Sequence, residues 1–421
     1  MITLLLDDEP FQLKLLEAQL RTLGVGNIIR HERARDALPL FDGDQHVVDL
    51  IFCDLQMPDM DGVEFVRHLA RNHYTGDLIL FSGENERILA SVECLAQAHG
   101  LRVLGALKKP VSMERLKELI DRILSSPEST PPAARGQSAY SLPVLESAYA
   151  TEELEAAISG KQFVNHYQPR VEMTTGRVIG AETLVRWEHP QDGLIMPDRF
   201  IPNLEYYGLI DDLTRIVLSD ALEQTRVWRK LGWNLQISIN MSTESLSAIR
   251  FADFVIGELG KVDIPGSSLL LEVPENIFEQ DQRGLLDILT RLRLRQIGLS
   301  IHDFGIAEVS LAELQTTPID ELKVDRTLVR GARDDASLRL RVRNSLGTAK
   351  QLGVTAAAEG VETRADWDFL AASGCDIAQG YFIARPMPAA DFPEWAAEWD
   401  AGQGRELALA GPLDPESQTS R

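Results

Sequence analysis

The chain has little cysteine and no long apolar run. Its 421 residues include three cysteines, Cys53, Cys94 and Cys375, and none is spaced from another as a zinc or redox pair requires. We interpret them as small buried apolar side chains in a reducing compartment. The apolar stretch near the N-terminus lacks the length and the basic residues of a signal peptide. No continuous apolar segment is long enough to span a membrane. These absences predict a cytoplasmic protein.

Basic residues are also scarce relative to acidic ones. The chain carries 42 lysines and arginines against 64 aspartates and glutamates, which gives a formal net charge of −22 at pH 7. Because neutralising nucleic-acid phosphates requires clustered basic residues, we do not expect binding to DNA. An anionic small ligand would need local arginine, lysine or metal to offset this field. The length predicts two or three domains, or one small domain and a barrel.

Short apolar runs alternate with helical patterns over residues 1–124. Runs at residues 2–6, 47–53, 78–81 and 101–107 are typical of buried strands, and the alternation predicts a doubly wound parallel α/β sheet. Such sheets bind ligands at the carboxyl ends of their strands. The polar residues at these ends are Asp7, Asp8, Asp54, Ser82 and Lys109. Three carboxylates in one crevice require a cation, so we predict an Mg²⁺ site where a carboxylate accepts a phosphoryl group.

The segment resembles the receiver domain of bacterial response regulators over its whole length. The motifs that carry the resemblance are DDEP at residues 7–10, CDLQMPDMDG at 53–62, FSG at 81–83 and KKP at 108–110.

This resemblance implies that Asp54 accepts a phosphoryl group from a sensor histidine kinase. It implies that Ser82 and Lys109 contact that group. Ala106 stands where the family usually has an aromatic switch residue, so an aromatic rotation is not available to transmit phosphorylation. The implied Mg²⁺ ligands are Asp8, Asp54 and the backbone of Gln56, with Asp7 assisting.

The composition changes after residue 124. Residues 125–143 are rich in serine and proline and show no apolar period, which predicts a semi-extended linker. Alternating apolar patterns return over residues 144–400, and residues 401–421 form a polar tail that we predict to be disordered. The sequence therefore predicts two domains, at residues 1–124 and 144–400.

Eight strand-like runs in the second domain predict a modified (β/α)8 TIM barrel. Runs at residues 163–171 and 178–187 are separated by a short turn, and this spacing predicts a hairpin that makes one strand antiparallel. Helical patterns separate the remaining runs, which lie at residues 235–240, 269–272, 298–303, 321–325, 354–359 and 377–382.

Polar residues follow these runs where the strands end. Carboxylate and amide oxygens at one end of a barrel suit hard metal ions, and arginine or lysine beside them can bind a phosphate. A metal pair at such a site lowers the pKa of a water and stabilises displacement at phosphorus. The pattern therefore predicts a metal-dependent phosphodiester site. The strand-end residues are Glu182, Arg186, Asn240, Glu272, His302, Asp303, Lys323, Asp325, Glu359, Glu362 and Gln379.

From about residue 163 to 388 the sequence resembles the EAL family, whose members hydrolyse cyclic di-GMP to linear pGpG with Mg²⁺ or Mn²⁺. The signature triplet reads Glu182-Thr183-Leu184 here, which keeps the acidic ligand. The motifs that carry the resemblance are YQP at residues 167–169, AETLVRW at 181–187, FIP at 200–202, SINMS at 238–242, LEVPE at 271–275, KVDRT at 323–327, AEGVET at 358–363 and AQGYFIARPMP at 378–388.

The EAL resemblance also implies roles for individual residues. Lys323 would orient the attacking water, Glu275 would brace the loop after the fifth strand, and Asp325 would support the site. The implied metal ligands are Glu182, Asn240, Glu272, Asp303 and Glu359. The implied contacts to cyclic di-GMP are Gln168, Arg186, Glu362 and Gln379.

His302 departs from the family pattern, which has the first of two adjacent aspartates at this position. A carboxylate can bridge two cations, whereas an imidazole cannot, and the change also removes one negative charge. We therefore predict that the second metal is weakened. The alternative is a His302 that binds no metal and is hydrogen-bonded locally. The loop from Gly305 to Ser310 has also lost most of the family's small and hydroxyl residues and gains a charge at Glu308.

These features predict a phosphorylation-controlled response regulator whose barrel binds cyclic di-GMP with weak or absent hydrolysis. Two alternatives stay open, an active phosphodiesterase and a protein-interaction output that needs no nucleotide. An oligomer formed through the barrel or the receiver is also left open. The alternating Arg339, Arg341 and Arg343 predict a solvated helix face.

Overall fold

The structure is a computed structural model of the chain. The predicted linker beyond Ser125, most of the predicted tail, and the loop changes predicted at Ala307 and Glu308 lie outside the described residues. The described residues are 1–41, 48–58, 60–72, 74–83, 86–125, 149–247, 249–279, 282–306, 309–402, 404 and 406–407.

The chain divides into two compact units. The first consists of Met1–Val144, Gln282–Leu294 and Thr316–Pro318, and the second of Leu145–Asp281, Arg295–Gln315 and Ile319–Arg421. Among the described residues, no helix combines the length and the apolarity needed to cross a membrane.

The first unit contains a parallel sheet with the strand order β2-β1-β3-β4-β5. Its strands are β1 (Ile2–Leu6), β2 (Asn27–His31), β3 (Leu50–Asp54), β4 (Asp77–Ser82) and β5 (Arg102–Lys108). The helices along the same stretch are α1 (Pro10–Thr22), α2 (Ala34–Ala37), α3 (Gly62–Arg71), α4 (Glu86–Ala98) and α5 (Met113–Ser125).

Both faces of this sheet are buried. Neighbouring side chains of a strand point to opposite faces of the sheet. Leu4 and Leu6 belong to one apolar cluster, whereas Leu5 belongs to the other. The doubly wound α/β prediction is therefore confirmed. The strand β2 was not predicted, because Asn27 and Arg30 are exposed and interrupt its short apolar pattern at the edge of the sheet.

The second unit contains the barrel strands and most of the later helices. Its strands are β6 (Phe163–Glu172), β7 (Val178–His189), β8 (Gly193–Ile195), β9 (Gln236–Asn240), β10 (Leu269–Pro274), β11 (Gly298–Phe304), β12 (Glu321–Val324), β13 (Thr355–Ala358), β14 (Ile377–Ala378) and β15 (Met387–Pro388). The helices from residue 151 onward, of which α10 falls in the first unit, are α6 (Thr151–Ser159), α7 (Ile201–Tyr206), α8 (Ile210–Lys230), α9 (Ile249–Val262), α10 (Gln282–Leu294), α11 (Leu311–Thr316), α12 (Arg326–Gly331), α13 (Ala336–Leu352), α14 (Arg364–Ala372) and α15 (Phe392–Ala401).

Eight of these strands form a closed barrel in the order β6-β14-β13-β12-β11-β10-β9-β7, and pairing of β6 with β7 closes it. The strand β6 runs antiparallel to both of its barrel neighbours, β7 and β14. The predicted modified TIM barrel with one antiparallel strand is confirmed. The last predicted run is a strand only at Ile377–Ala378, and the chain then turns at Gly380, whose φ is 158°.

Candidate functional site

The first candidate site lies at the carboxyl ends of β1, β3, β4 and β5. One oxygen each of Asp7, Asp8 and Asp54 lies within 4.8 Å of the other two. Lys109 places its Nζ 2.8 Å from Asp7 Oδ2 and 2.8 Å from Asp54 Oδ2. The backbone N–H of Lys109 donates to the carbonyl oxygen of the buried Ser82 at 2.9 Å. The structure therefore brings all five predicted residues of this unit to one edge of the sheet.

Burial controls the charge of Asp54. This side chain is almost fully buried, and burial raises its pKa to about 6 although the Lys109 ammonium opposes the shift. Burial lowers the pKa of Lys109, but Asp54 and Asp7 outweigh burial and the net shift is upward. The pKa of Asp8 is raised by burial and then by Asp7. Three carboxylates beside a single lysine leave an excess of negative charge, and their oxygen donors fit a divalent cation.

The second candidate site lies at the carboxyl ends of the barrel strands, where Lys323 is surrounded by carboxylates. Its Nζ is 2.8 Å from Glu182 Oε2, 2.8 Å from Glu272 Oε2 and 2.7 Å from Glu359 Oε1. Lys323 is 1% exposed. Burial would lower its pKa, but the three glutamates hold it well above its usual value. We call these four residues the carboxylate cluster.

Glu182 is the most strongly stabilised anion of the carboxylate cluster. Asn240 Nδ2 donates to Glu182 Oε1 at 2.7 Å, and Gln379 Nε2 donates to Glu182 Oε2 at 2.6 Å. Gln379 also donates to Gln168 Oε1 at 3.0 Å. Burial would raise the pKa of Glu182, but Lys323 and the amide donors outweigh burial and lower it to about 2. Five predicted site residues are therefore joined in one hydrogen-bonded network.

Glu359 and Glu272 have different environments from Glu182. Burial raises the pKa of Glu359 to about 7 even though Lys323 opposes the shift, so this carboxyl group can exchange a proton near neutral pH. Glu272 is completely buried, and within the described part of the chain its Oε1 atom has no hydrogen-bond partner. An unpaired buried carboxylate oxygen is costly unless a cation or water satisfies it. This oxygen-rich cluster therefore fits a divalent cation.

His302 and Asp303 form a pair with each other outside the carboxylate cluster. His302 Nδ1 lies 3.0 Å from Asp303 Oδ2. Asp303 adopts a φ of 58°, in the left-handed region, and the pairing of β11 with β12 shifts between Ile301 and Phe304. The hydrogen bond to His302 lowers the pKa of Asp303. Burial lowers the pKa of His302, but the bond to Asp303 outweighs it and the net shift is upward.

Two other predicted residues have local partners. Asp325 is the N-cap of α12 and accepts the backbone N–H of Thr327 at 2.8 Å. Glu362 forms an ion pair with Arg330, and both side chains line the same cleft at the barrel strand ends. Their side chains therefore support α12 and the rim of the barrel.

Two clefts lie near the barrel strand ends, and the first of them is lined by residues of the carboxylate cluster. The polar cleft has a volume of about 540 Å³, and Glu182, Glu359, Arg186 and Gln379 are among its lining residues. Besides Arg330, three other charged or aromatic residues that the sequence pattern did not indicate line this cleft. They lie inside or beside the quoted motifs but do not end a strand, so the strand-end criterion could not find them, and they are Asp198, Arg326 and Tyr381.

The second cleft is mostly apolar and has a volume of about 410 Å³. Its walls include Leu184, Ile201, Leu213 and Met241, and the two site residues that reach it are Asn240 and His302. Leu184 and Pro197 line both clefts, so the clefts are adjacent.

Comparison with known proteins finds a family match in each of the two halves of the sequence. Residues 151–386 match the family described as EAL domain, and residues 3–121 match the response regulator receiver domain. Cyclic di-GMP phosphodiesterase RocR of Pseudomonas aeruginosa is 32% identical over 399 residues, which are 94% of this chain and 98% of RocR.

Two further comparisons cover the barrel. The bifunctional diguanylate cyclase/cyclic di-GMP phosphodiesterase MucR of Pseudomonas aeruginosa is 37% identical over 256 residues, 60% of this chain and 37% of MucR. The solved structure described as PaMucR phosphodiesterase in complex with c-di-GMP superposes with a TM-score of 0.56 and 37% identity, covering 57% of this chain and 98% of that one. The chain therefore belongs to the EAL domain family, and it joins that domain to an N-terminal receiver domain.

Proposed function

We propose that the chain is a response regulator of cyclic di-GMP signalling whose barrel binds the nucleotide and hydrolyses it weakly or not at all. The observation that carries this proposal is a contrast between the carboxylate cluster and the pair of His302 and Asp303, which both lie at the carboxyl ends of barrel strands. The carboxylate cluster around Lys323 is complete, whereas Asp303 is hydrogen-bonded to His302. A sensor histidine kinase would regulate the barrel by phosphorylating Asp54.

Binding of cyclic di-GMP is supported by the shape and charge of the two clefts. A cyclic dinucleotide has two purine rings on either side of a phosphate-containing ring, and the clefts lie side by side. Arg186 is buried in the wall of the polar cleft and can offset phosphate charge. Gln168 and Gln379 supply amide groups beside it. The relatives named as acting on or binding cyclic di-GMP are consistent with this ligand.

A divalent cation fits the donor set of the barrel. We propose Mg²⁺ or Mn²⁺, because the donors are carboxylate and amide oxygens and Glu272 Oε1 is buried without a hydrogen-bond partner among the described residues. Such a cation would neutralise phosphate charge and lower the pKa of a bound water. Lys323 would hold and orient that water. The residues that would hold the cation are Glu182, Asn240, Glu272, Asp303 and Glu359.

The choice between weak and full hydrolysis depends on position 302. Full activity as a phosphodiesterase is the second candidate, and the complete carboxylate cluster favours it. Weak activity is favoured because an imidazole cannot bridge two cations and because Asp303 already pairs with it. A nucleotide-independent output is the least supported candidate, since it would not require a buried lysine among three glutamates.

The test compares His302→Asp with His302→Asn in the full chain. Both substitutions remove the imidazole, and only the first adds a carboxylate. We measure hydrolysis of cyclic di-GMP to pGpG with Mg²⁺ and with Mn²⁺, and nucleotide binding by calorimetry. We expect wild type to bind the nucleotide and His302→Asp to hydrolyse it about 10²-fold faster or more, with little change in His302→Asn. Wild-type turnover that His302→Asp does not increase would contradict the proposal.

The receiver half is tested with a small phosphoryl donor. Wild-type protein incubated with acetyl phosphate and Mg²⁺ should acquire one acid-labile phosphoryl group, and Asp54→Asn should acquire none. The nucleotide affinity of the two proteins is then compared with and without the donor. Labelling that persists in Asp54→Asn would exclude Asp54 as the acceptor.

A further inference from the structure

Two oppositely charged side chains hold the same backbone segment after β11. Glu275 accepts the backbone N–H of Gly305 at 3.4 Å and that of Ile306 at 3.2 Å. Arg341 donates from Nη2 to the carbonyl oxygens of both residues, and the contact to Ile306 is 3.3 Å. The N–H groups therefore face an anion and the C=O groups face a cation, which makes all of these hydrogen bonds charge-assisted.

The helix α13 presents Arg341 and Ser345 to the same segment. Residues four apart on a helix share a face, and a Cβ added at Gly305 would come within 2.6 Å of Ser345 Oγ. Gly305 also has a φ of 97°, which disfavours any side chain at this position. The backbone at Gly305 is therefore fitted closely against one face of α13.

The alternating arginines on α13 do not form a uniform solvated face. Arg339 donates to the carbonyl oxygens of Ala332 and Arg333, near the start of the helix. The Arg343 guanidinium lies 5.9 Å from the centre of the Phe369 ring. Within the described part of the chain, Arg341 is the one of these three arginines that contacts the segment after β11. Its role is therefore separable from the charge of the helix.

The contacts of Glu275 and Arg341 to this backbone segment bear on the conformation of Asp303, a candidate metal ligand. A non-glycine residue in the left-handed region is strained, and such strain persists only where the surrounding structure holds it. The pairing of β11 with β12 shifts between Ile301 and Phe304, so the sheet constrains this point less. The backbone fixed by Glu275 and Arg341 begins two residues after Asp303.

We propose that Arg341 is a positioning residue that acts together with Glu275 on Gly305 and Ile306 and so holds Asp303 in its left-handed conformation. This places a residue of α13, with no strand-end position of its own, in control of a candidate metal ligand. The effect on the backbone is independent of the proposed function, whereas the effect on ligand binding rests on it.

Hydrogen–deuterium exchange of the full chain tests the effect on the backbone. Arg341→Met keeps an apolar stem and removes the donors, Arg341→Lys keeps the charge, and Arg343→Met is the matched control on the same helix. We expect the peptide that contains the Gly305 and Ile306 amides to exchange about tenfold faster in Arg341→Met, with a smaller increase in Arg341→Lys. Unchanged exchange in Arg341→Met, or an equal increase in Arg343→Met, would overturn the proposal.

Calorimetry with cyclic di-GMP tests the effect on Asp303. The readout is the Mn²⁺ concentration that gives half-maximal binding of cyclic di-GMP. A general loss of stability would not shift this concentration. We expect it to rise about tenfold in Arg341→Met and to rise little further when Glu275→Gln is added, because both residues act on one segment. Additive effects, or no rise, would overturn the positioning role. If wild type binds no nucleotide, the proposed function fails, and the exchange result still decides whether Arg341 fixes the backbone.

Discussion

Replacing Lys323 with methionine is a direct test of how the barrel site is held together. Methionine has a similar length but no charge, so the substitution leaves three glutamates without their shared cation. Lys323 Nζ contacts an oxygen of each glutamate at 2.7–2.8 Å, and the lysine is 1% exposed. Removing one partner of a buried ion pair commonly costs about 3–5 kcal/mol, because the remaining charge stays buried.

Protonation limits that cost. The pKa of Glu359 is already raised to about 7, so without Lys323 this partly buried carboxyl group takes up a proton at neutral pH instead of remaining an anion. We therefore expect a loss near the lower end of this range, about 3 kcal/mol, at pH 7 in EDTA. The loss should grow at pH 8, where keeping Glu359 protonated becomes more costly.

Urea unfolding followed by tryptophan fluorescence can measure this change in the barrel alone. The chain has six tryptophans, and all of them follow residue 186. Lys350→Met, which removes an exposed lysine from α13, is the matched control and should change stability by less than about 0.5 kcal/mol. Saturating Mn²⁺ should restore most of the stability of Lys323→Met, because it supplies the missing positive charge. A loss below about 1 kcal/mol, or a loss that Mn²⁺ does not reduce, would refute the reasoning.

Three further predictions follow from individual contacts. In EDTA the barrel should gain stability as the pH falls from 7 to about 4.5, because the pKa of Glu359 is raised to about 7 from 4.5; urea unfolding of Glu359→Gln should lack this gain. Asp54→Asn should raise the metal-free stability of the receiver by up to about 3 kcal/mol at pH 8, since burial raises the Asp54 pKa to about 6 from 3.8; calorimetric melting would contradict this if no increase is seen. Asp335→Ala should cost about 1 kcal/mol, measured by urea unfolding, because Asp335 caps α13 by accepting the Ser337 N–H at 2.7 Å.

The sequence was sufficient to predict the two fold classes and the ends of most strands. Periodic apolar runs identify buried parallel strands, and the carboxyl ends of such strands meet at one edge. That argument correctly assembled Asp7, Asp54 and Lys109, and likewise Glu182 and Lys323. The same argument did not identify β2, because polar residues interrupt the apolar pattern of this edge strand.

The finer arrangement of the barrel site was not predictable from the pattern. Strand-end position indicates that Lys323 lies near the carboxylates, but only packing determines that it contacts three of them. Alternating arginines on a helix indicate exposure, and the contact from Arg341 to Gly305 spans 36 residues of sequence. Such contacts depend on how loops return to the barrel, which a local period does not encode.

Charge balance connects His302 with the number of cations that the barrel can hold. Three glutamates and Lys323 leave a net charge of about −2 when all are ionised, which one divalent cation neutralises. A second divalent cation would need two more negative charges close by. Asp303 supplies one, although it shares that charge with the imidazole 3.0 Å away, and His302 supplies none. We infer that the barrel is short of charge for a second cation, and that the shortage arises at residue 302 and not in the carboxylate cluster.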